Sequence, residues 1–187
     1  GALTPTGRAM ARLPLEPRPA RLLLAAVAHD CVAEAAFIAC VVQGEGIFTG
    51  RPGEAGRKDF LTPGDGSDLA GEWRACASAE AMRFDARRCA RLGVHGRAAR
   101  EVAQALHRLH QLARRAGWRW GEVDFAGRRE AVARAMLAAF SDRLAVRCGA
   151  ATLACRMVDG RRGRLDDESV ARDAAAFVAA EATEVGG

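Results

Sequence analysis

At 187 residues, half of them hydrophobic and 27% charged, the chain has room for one sizeable globular domain, or for one domain flanked by pieces of two others. Its longest apolar runs, 22–28 and 32–42, fall short of the roughly 20 residues a membrane span needs, and no charged segment ahead of an apolar core reads as a signal peptide. The net charge of +5 conceals a segregation: residues 87–164 hold 18 Arg against 6 acidic residues, a net of +12, whereas 1–86 hold 9 basic and 11 acidic residues and 165–187 hold 1 and 6.

Arginine abundance alone says little, because Lys58 is the only lysine among the 28 basic residues, a bias that GC-rich coding produces. Coding bias does not segregate charge along a chain, so the basic middle predicts a polyanion-binding surface. Six cysteines, Cys31, Cys40, Cys76, Cys89, Cys148 and Cys155, contain no C-x-x-C pair. They read as free, mostly buried thiols of a reducing, cytoplasmic protein rather than as zinc ligands. The opening Gly1 in place of Met reads as an excised segment.

In chain order, Thr4 is a candidate N-cap with Pro5 at the first helical position, and Pro14 ends that short helix. A second helix starts near Pro17 and breaks around His29-Asp30; a third covers 32–42, and both are apolar enough to be interior. Eight glycines and two prolines between 43 and 72 predict a long exposed loop, followed by a helix over 73–82. The longest helix is expected over 97–116, roughly 30 Å at 1.5 Å per residue. Ala98, Val102, Ala105, Leu109 and Leu112 form its core face, and Arg97, Arg100, Gln104, His107, Arg108, Gln111, Arg114 and Arg115 form the opposite stripe. A helix near 128–139 precedes alternating strand-like residues 143–158, and Asp159-Gly160 marks a hairpin turn. Only about three strand candidates follow residue 140, too few to close a five-stranded barrel.

The segment Leu3-Thr4-Pro5-Thr6-Gly7-Arg8, continued by Ala11-Arg12-Leu13-Pro14-Leu15-Glu16-Pro17-Arg18, resembles the helicase-associated region of DEAH-box (DExH) RNA helicases. Glu34-Ala35-Ala36-Phe37-Ile38-Ala39 is similar to a helix of that region's ratchet bundle, and Ile47-Phe48 with Arg51-Pro52 to the loop after it. Ala138-Ala139-Phe140-Ser141-Asp142-Arg143-Leu144-Ala145 and Asp159-Gly160-Arg161-Arg162-Gly163 are similar to the bacterial HrpB-like branch. The resemblance implies a mainly α fold: the end of a winged helix at 1–16, a ratchet-like helical bundle at 17–126, then a linking helix and the start of an OB-like β-domain at 127–187. It also implies single-stranded RNA, or DNA, as partner, and two RecA-like motor domains elsewhere that use ATP and Mg. The alternative is a module that docks a regulatory protein.

The candidate nucleic-acid contacts are Arg97, Arg100, Gln104, Arg108, Gln111 and Arg115 on the long helix, with Arg161, Arg162 and Arg164 on the hairpin. With no Tyr and few Phe or Trp, backbone tracking fits better than a base-stacking sheet. His107 and His110 share a face but lack a further ligand at helical spacing, His29 and His95 stand alone, and Ser141 and Asp142 form no nucleophile–base pair. No cofactor and no catalytic residue are expected in this chain. The phosphate loop G-x-x-x-x-G-K-[ST] is missing, since Lys58 sits in Gly56-Arg57-Lys58-Asp59, and Asp167-Glu168 continues into Ser169-Val170 rather than a metal-binding acidic box. The chain is therefore expected to neither bind nor hydrolyse ATP at any RNA concentration; stoichiometric binding heat in calorimetry with Mg-ATP would contradict this.

Overall fold

A computed structural model describes residues 4–50, 56, 58–62 and 64–180. Leu3, Arg51, Pro52, Gly53, Arg57 and Pro63, and the tail Val185-Gly186-Gly187, lie outside the described residues. The described fold is mainly helical, with a small antiparallel sheet at its C-terminal end.

Helix α1 (Pro5–Met10) forms where expected: the Thr4 hydroxyl accepts from the Gly7 amide at 3.0 Å, and Pro5 occupies the first turn, where its missing N–H costs nothing. Helix α2 (Pro17–His29) buries Leu22, Leu23 and Ala26 and stops at Asp30, whose φ of 55° is left-handed. Helix α3 (Val32–Gln43) is buried at every position from Val32 to Val41. Its alanines let α2, α6 (Gly96–Arg115) and α7 (Arg129–Ala139) approach from different sides, while α4 (Asp68–Ala81) packs on α6. The Phe37 ring at the centre meets Trp73 and Phe125 edge-on, at centroid distances of 5.2 and 6.1 Å.

Inside this apolar helix Glu34 is 1% exposed. Its Oε1 accepts from the Asp124 amide at 2.8 Å and lies 3.6 Å from Arg128 Nε. Arg128 also donates to the Asp30 carbonyl and lies 3.3 Å from the Asp30 carboxylate, which Arg119 reaches at 3.0 Å. The segment between α6 and α7 is thereby fastened to the break between α2 and α3.

Several expectations need correction. The loop expected over 43–72 ends at Ser67, which caps α4, so the helix begins five residues before the expected 73. Gly71 is a helical residue: a Cβ there would stand 2.6 Å from Leu61 Cδ2 and 2.9 Å from the Phe60 carbonyl. Nor is the loop simply exposed. Ile47, Phe60 and Asp65 are buried, and the chain at 47–49 pairs with 93–95 through His95 N to Ile47 O (2.8 Å) and Thr49 N to Gly93 O (2.9 Å). Gly56, at φ 107°, sits where a Cβ would come within 2.6 Å of the Leu92 carbonyl. Helix α5 (Ala86–Arg91), capped by Asp85, was not anticipated. The expected division between 126 and 127 falls ahead of α7, yet Val132, Ala135, Met136 and Ala139 of α7 share the core of α2 and α3.

The strands β1 (Leu144–Arg147), β2 (Ala154–Met157), β3 (Arg162–Arg164) and β4 (Ala176–Val178) make one antiparallel sheet in the order β3-β2-β1-β4. Asp159-Gly160 turns β2 into β3 as expected, whereas β4 was not foreseen. Its partner β1 buries Ala145 against Cys155, Met157 and Phe177, leaving Val146 49% exposed, so the packed face is the Ala145 face. The sheet is seated on the bundle through Asp68: its carboxylate accepts from the Ser169 hydroxyl (2.7 Å) and the Val170 amide (2.9 Å). Lys58–Glu168 (2.9 Å), with the carboxylate half-buried, and the exposed Arg18–Asp142 (2.7 Å) add ion pairs.

Asp65 shows how the glycine-rich loop is held. Arg74 of α4 donates to Asp65 Oδ1 at 2.9 Å and to the Phe60 carbonyl at 3.0 Å, and the Thr62 amide donates to Asp65 Oδ2 at 3.0 Å. The Arg74 hydrogen bonds, and then the Thr62 amide, hold the Asp65 carboxyl at about 2, against burial that pushes it up. Because the folded value lies below the unfolded one, this stabilisation is complete above about pH 4 and lost as pH falls through about 2. In urea unfolding, Asp65→Asn should be less stable than the parent at pH 7 by at most about 2 kcal/mol, and the difference should shrink between pH 4 and pH 2. A gap that persists unchanged at pH 2 would show that the ion pair is not what orders the loop.

Candidate nucleic-acid interface

Helix α6 begins on an unusual cap, His95, whose Nδ1 accepts from the Ala98 amide at 3.4 Å, and Gly96 packs against Cys89. His95, uninformative in the sequence, thus has a structural task. The buried face is Ala98, Ala99, Val102, Leu109 and Ala113; Ala105 and Leu112, expected in the core, are only half-buried. Burial leaves the opposite face to solvent: Arg97, Arg100, Gln104, His107, Arg108, Arg114 and Arg115 are exposed and Gln111 is half-buried.

The exposed residues are not equivalent. Glu101 lies on the same face and takes Arg97 into an i,i+4 pair at 3.0 Å, which raises the Arg97 pKa and leaves that arginine partly neutralised. Arg100 donates to the Arg83 carbonyl at 3.5 Å, and its guanidinium carbon lies 5.4 Å from the Phe84 ring centroid. Arg108, Arg114 and Arg115 make no ion pair among the described residues. On the hairpin, Arg161 pairs with Asp159 and Arg164 with Asp167, both at 2.6 Å, while Arg162 has no acidic partner among the described residues. The Arg161 amide and guanidinium hold Asp159 below the usual carboxylate range, as the Arg164 guanidinium does for Asp167. Most of the hairpin's charge is therefore spent locally.

Two adjoining concavities run along α6. The first, about 750 Å³, is lined by Arg83, Phe84, Asp85, Arg88, Arg97 and Arg100. The second, about 530 Å³, is lined by Glu80, Phe84, Arg100, Gln104, His107 and Arg108. Arg97, Arg100, Gln104 and Arg108 are brought together here; Gln111, Arg115 and the hairpin arginines line neither hollow. Sequence reasoning missed Arg83 and Phe84, which come from the α4–α5 turn, and Arg88, which comes from α5. The readable signal was Asp85, whose carboxylate caps α5 by accepting from the Arg88 amide at 2.9 Å and so places a turn at 82–85. That turn holds Arg83 and Phe84 at φ 54° and 57°, two consecutive left-handed residues, fixed by Phe84 N to Ala79 O at 2.8 Å. A bulky side chain there is strained, and such strain gathers where function requires it.

Other chemistry finds little support. Burial pushes the Cys31 thiol up to about 11 and those of Cys40 and Cys76 to about 12, which removes thiolate character. His110 stacks on Trp120 at 4.6 Å, and among the described residues no group of three His, Cys, Asp or Glu is placed to hold a metal.

Residues 16–105 match the family model described as "Helicase associated domain (HA2), ratchet-like". The match covers just under half of the chain, from α2 to the first half of α6, and includes the α4–α5 turn with Arg97, Arg100 and Gln104. No curated protein matches the chain at significance.

The strained turn is open to test by itself. Arg83→Gly removes a Cβ from a left-handed residue but loosens the unfolded chain, so a net gain of up to about 1 kcal/mol is expected in denaturant unfolding. A loss of stability would mean that contacts of the Arg83 side chain outweigh its backbone strain.

Proposed function

We propose that this chain is the non-catalytic, nucleic-acid-guiding accessory region of an ATP-dependent RNA helicase of the DEAH-box type, in the bacterial HrpB-like branch and acting in the cytoplasm. The helicase-associated match over residues 16–105 supports the helicase context. The observation that carries the guiding role is the outer face of α6, a predominantly basic surface, interrupted by Glu101, whose Arg108 and Arg115 make no ion pair among the described residues. ATP and Mg belong to the RecA-like domains of the parent protein and supply the energy of movement there. This chain's own residues hold a single strand of RNA, or of DNA, by its phosphates. Such contacts carry no sequence preference and tolerate sliding, which suits a strand that must advance by steps. Arg100, Arg108 and Arg115 are the main track, Gln104 and Gln111 provide amide contacts, and Arg97 contributes less because Glu101 competes for it. Arg162 is an accessory contact, with Arg161 and Arg164 tempered by their carboxylates.

Each phosphate contact contributes about −0.7 to the salt slope of single-strand binding. Replacing Arg100, Arg108 and Arg115 together by Gln should therefore flatten the slope by roughly 2 and weaken binding to all sequences alike, in a variant with unchanged helicity. Changing Arg161, Arg162 and Arg164 should flatten it less. Binding of the helix variant that equals the parent's at low salt would remove the α6 track. Salt-sensitive binding of an acidic protein in place of RNA would favour a docking module instead.

A further inference from the structure

Arg100 differs from the other arginines of the groove. Its planar guanidinium lies over the Phe84 ring at 5.4 Å and is steadied by the Arg83 carbonyl at 3.5 Å. Phe84 is partly buried against the main core, and the left-handed Arg83–Phe84 turn fixes its position. The pair stands where the two hollows meet, since Phe84 and Arg100 line both. On one side of it are Arg83 and Arg88, with Asp85 the one acidic residue of that hollow; on the other are Gln104 and Arg108, with Glu80. A flat, cationic π-surface flanked by cations on both sides matches a ligand that alternates planar rings with anions. An acidic peptide would satisfy the arginines and leave the plane unused; a single-stranded nucleic acid uses both, because bases stack on aromatic rings and on guanidinium planes.

We infer that the Phe84–Arg100 pair is a base-stacking platform, on which one nucleobase of the bound strand lies while Arg83, Arg88 and Arg108 take the phosphates on either side. This rests on the single-strand reading of α6 and adds to the part played by Arg100: besides its charge toward the phosphates, its plane grips a base. Gln104 beside it offers a donor and an acceptor to that base's edge.

The test uses the full chain and single-stranded RNA carrying 2-aminopurine at successive positions, whose fluorescence is quenched by stacking. On a strand only just long enough to span the groove, which prevents sliding, the parent is expected to quench the probe at one register. Arg100→Lys keeps the charge but loses the plane, and Phe84→Leu keeps apolar bulk but loses the ring. Both should bind about tenfold more weakly and lose the protein-dependent quenching. The salt slope of Arg100→Lys should match the parent's. A strand with an abasic site at the quenched register should bind the parent about tenfold more weakly and bind Arg100→Lys no differently from an intact strand. Salt-dependent binding with quenching retained in both variants overturns the platform and leaves the phosphate track standing. No salt-dependent binding by the folded parent overturns the track, and the platform with it. Arg100 is exposed, so Arg100→Lys decides the matter even if Phe84→Leu unfolds.

Discussion

The carboxylate of Glu34 sits in the most deeply buried helix of the molecule, and taking such a group out of water costs several kcal/mol unless partners replace the lost hydration. Its partners come from far along the chain: the amide of Asp124 and the guanidinium of Arg128. Neither is available unless residues 117–128 cross the end of α2, and that crossing is fixed in turn by Arg119 and Arg128 at Asp30. The left-handed Asp30 separates α2 from α3 and leaves its carbonyl free to accept from Arg128. One buried charge thus specifies how the C-terminal end of α6 returns to the bundle and how α7 lies on α2. Replacing Glu34 by an apolar residue would strip the Asp124 amide of its acceptor and leave Arg128 held by Asp30 alone.

With α6 held at both ends, by the 47–49 pairing at its start and the Glu34 crossing beyond its end, its outer face becomes a fixed surface. The arginines there divide by local neighbours more than by sequence position. Arg97 and Glu101 are one turn apart and partly cancel, Arg100 lies on an aromatic ring, and Arg108 and Arg115 face solvent with no ion pair among the described residues. The hairpin repeats the first pattern twice. Formal charge therefore overstates how much positive potential each region offers a polyanion.

The parts legible in the sequence are those ruled by local periodicity. Helices α2, α3 and α6 and the Asp159-Gly160 turn announce themselves through spacing, caps and turn chemistry, and the exposed side of α6 follows from its apolar side. What was illegible depends on distant partners. Glycines at 44–71 suggest one open loop, because nothing nearby reveals that Asp65 will pair with Arg74 or that Gly71 packs under Leu61. Strand β4 is three residues long and exists only through its pairing with β1. Phe84, isolated among charged residues, belongs to no periodic pattern, so the aromatic element of the groove is invisible in a chain that is poor in aromatics as a whole.

A chain with 27 arginines and a single lysine presents, apart from its terminal amine, one ammonium to acylating reagents. Lys58 is 59% exposed and bonded to Glu168, in the segment that seats the sheet on α4. The protein thus comes with a built-in attachment point for a fluorophore or cross-linker at the seam between helical and β parts. An amine-reactive dye placed there would report separation of the two without the introduction of any new residue.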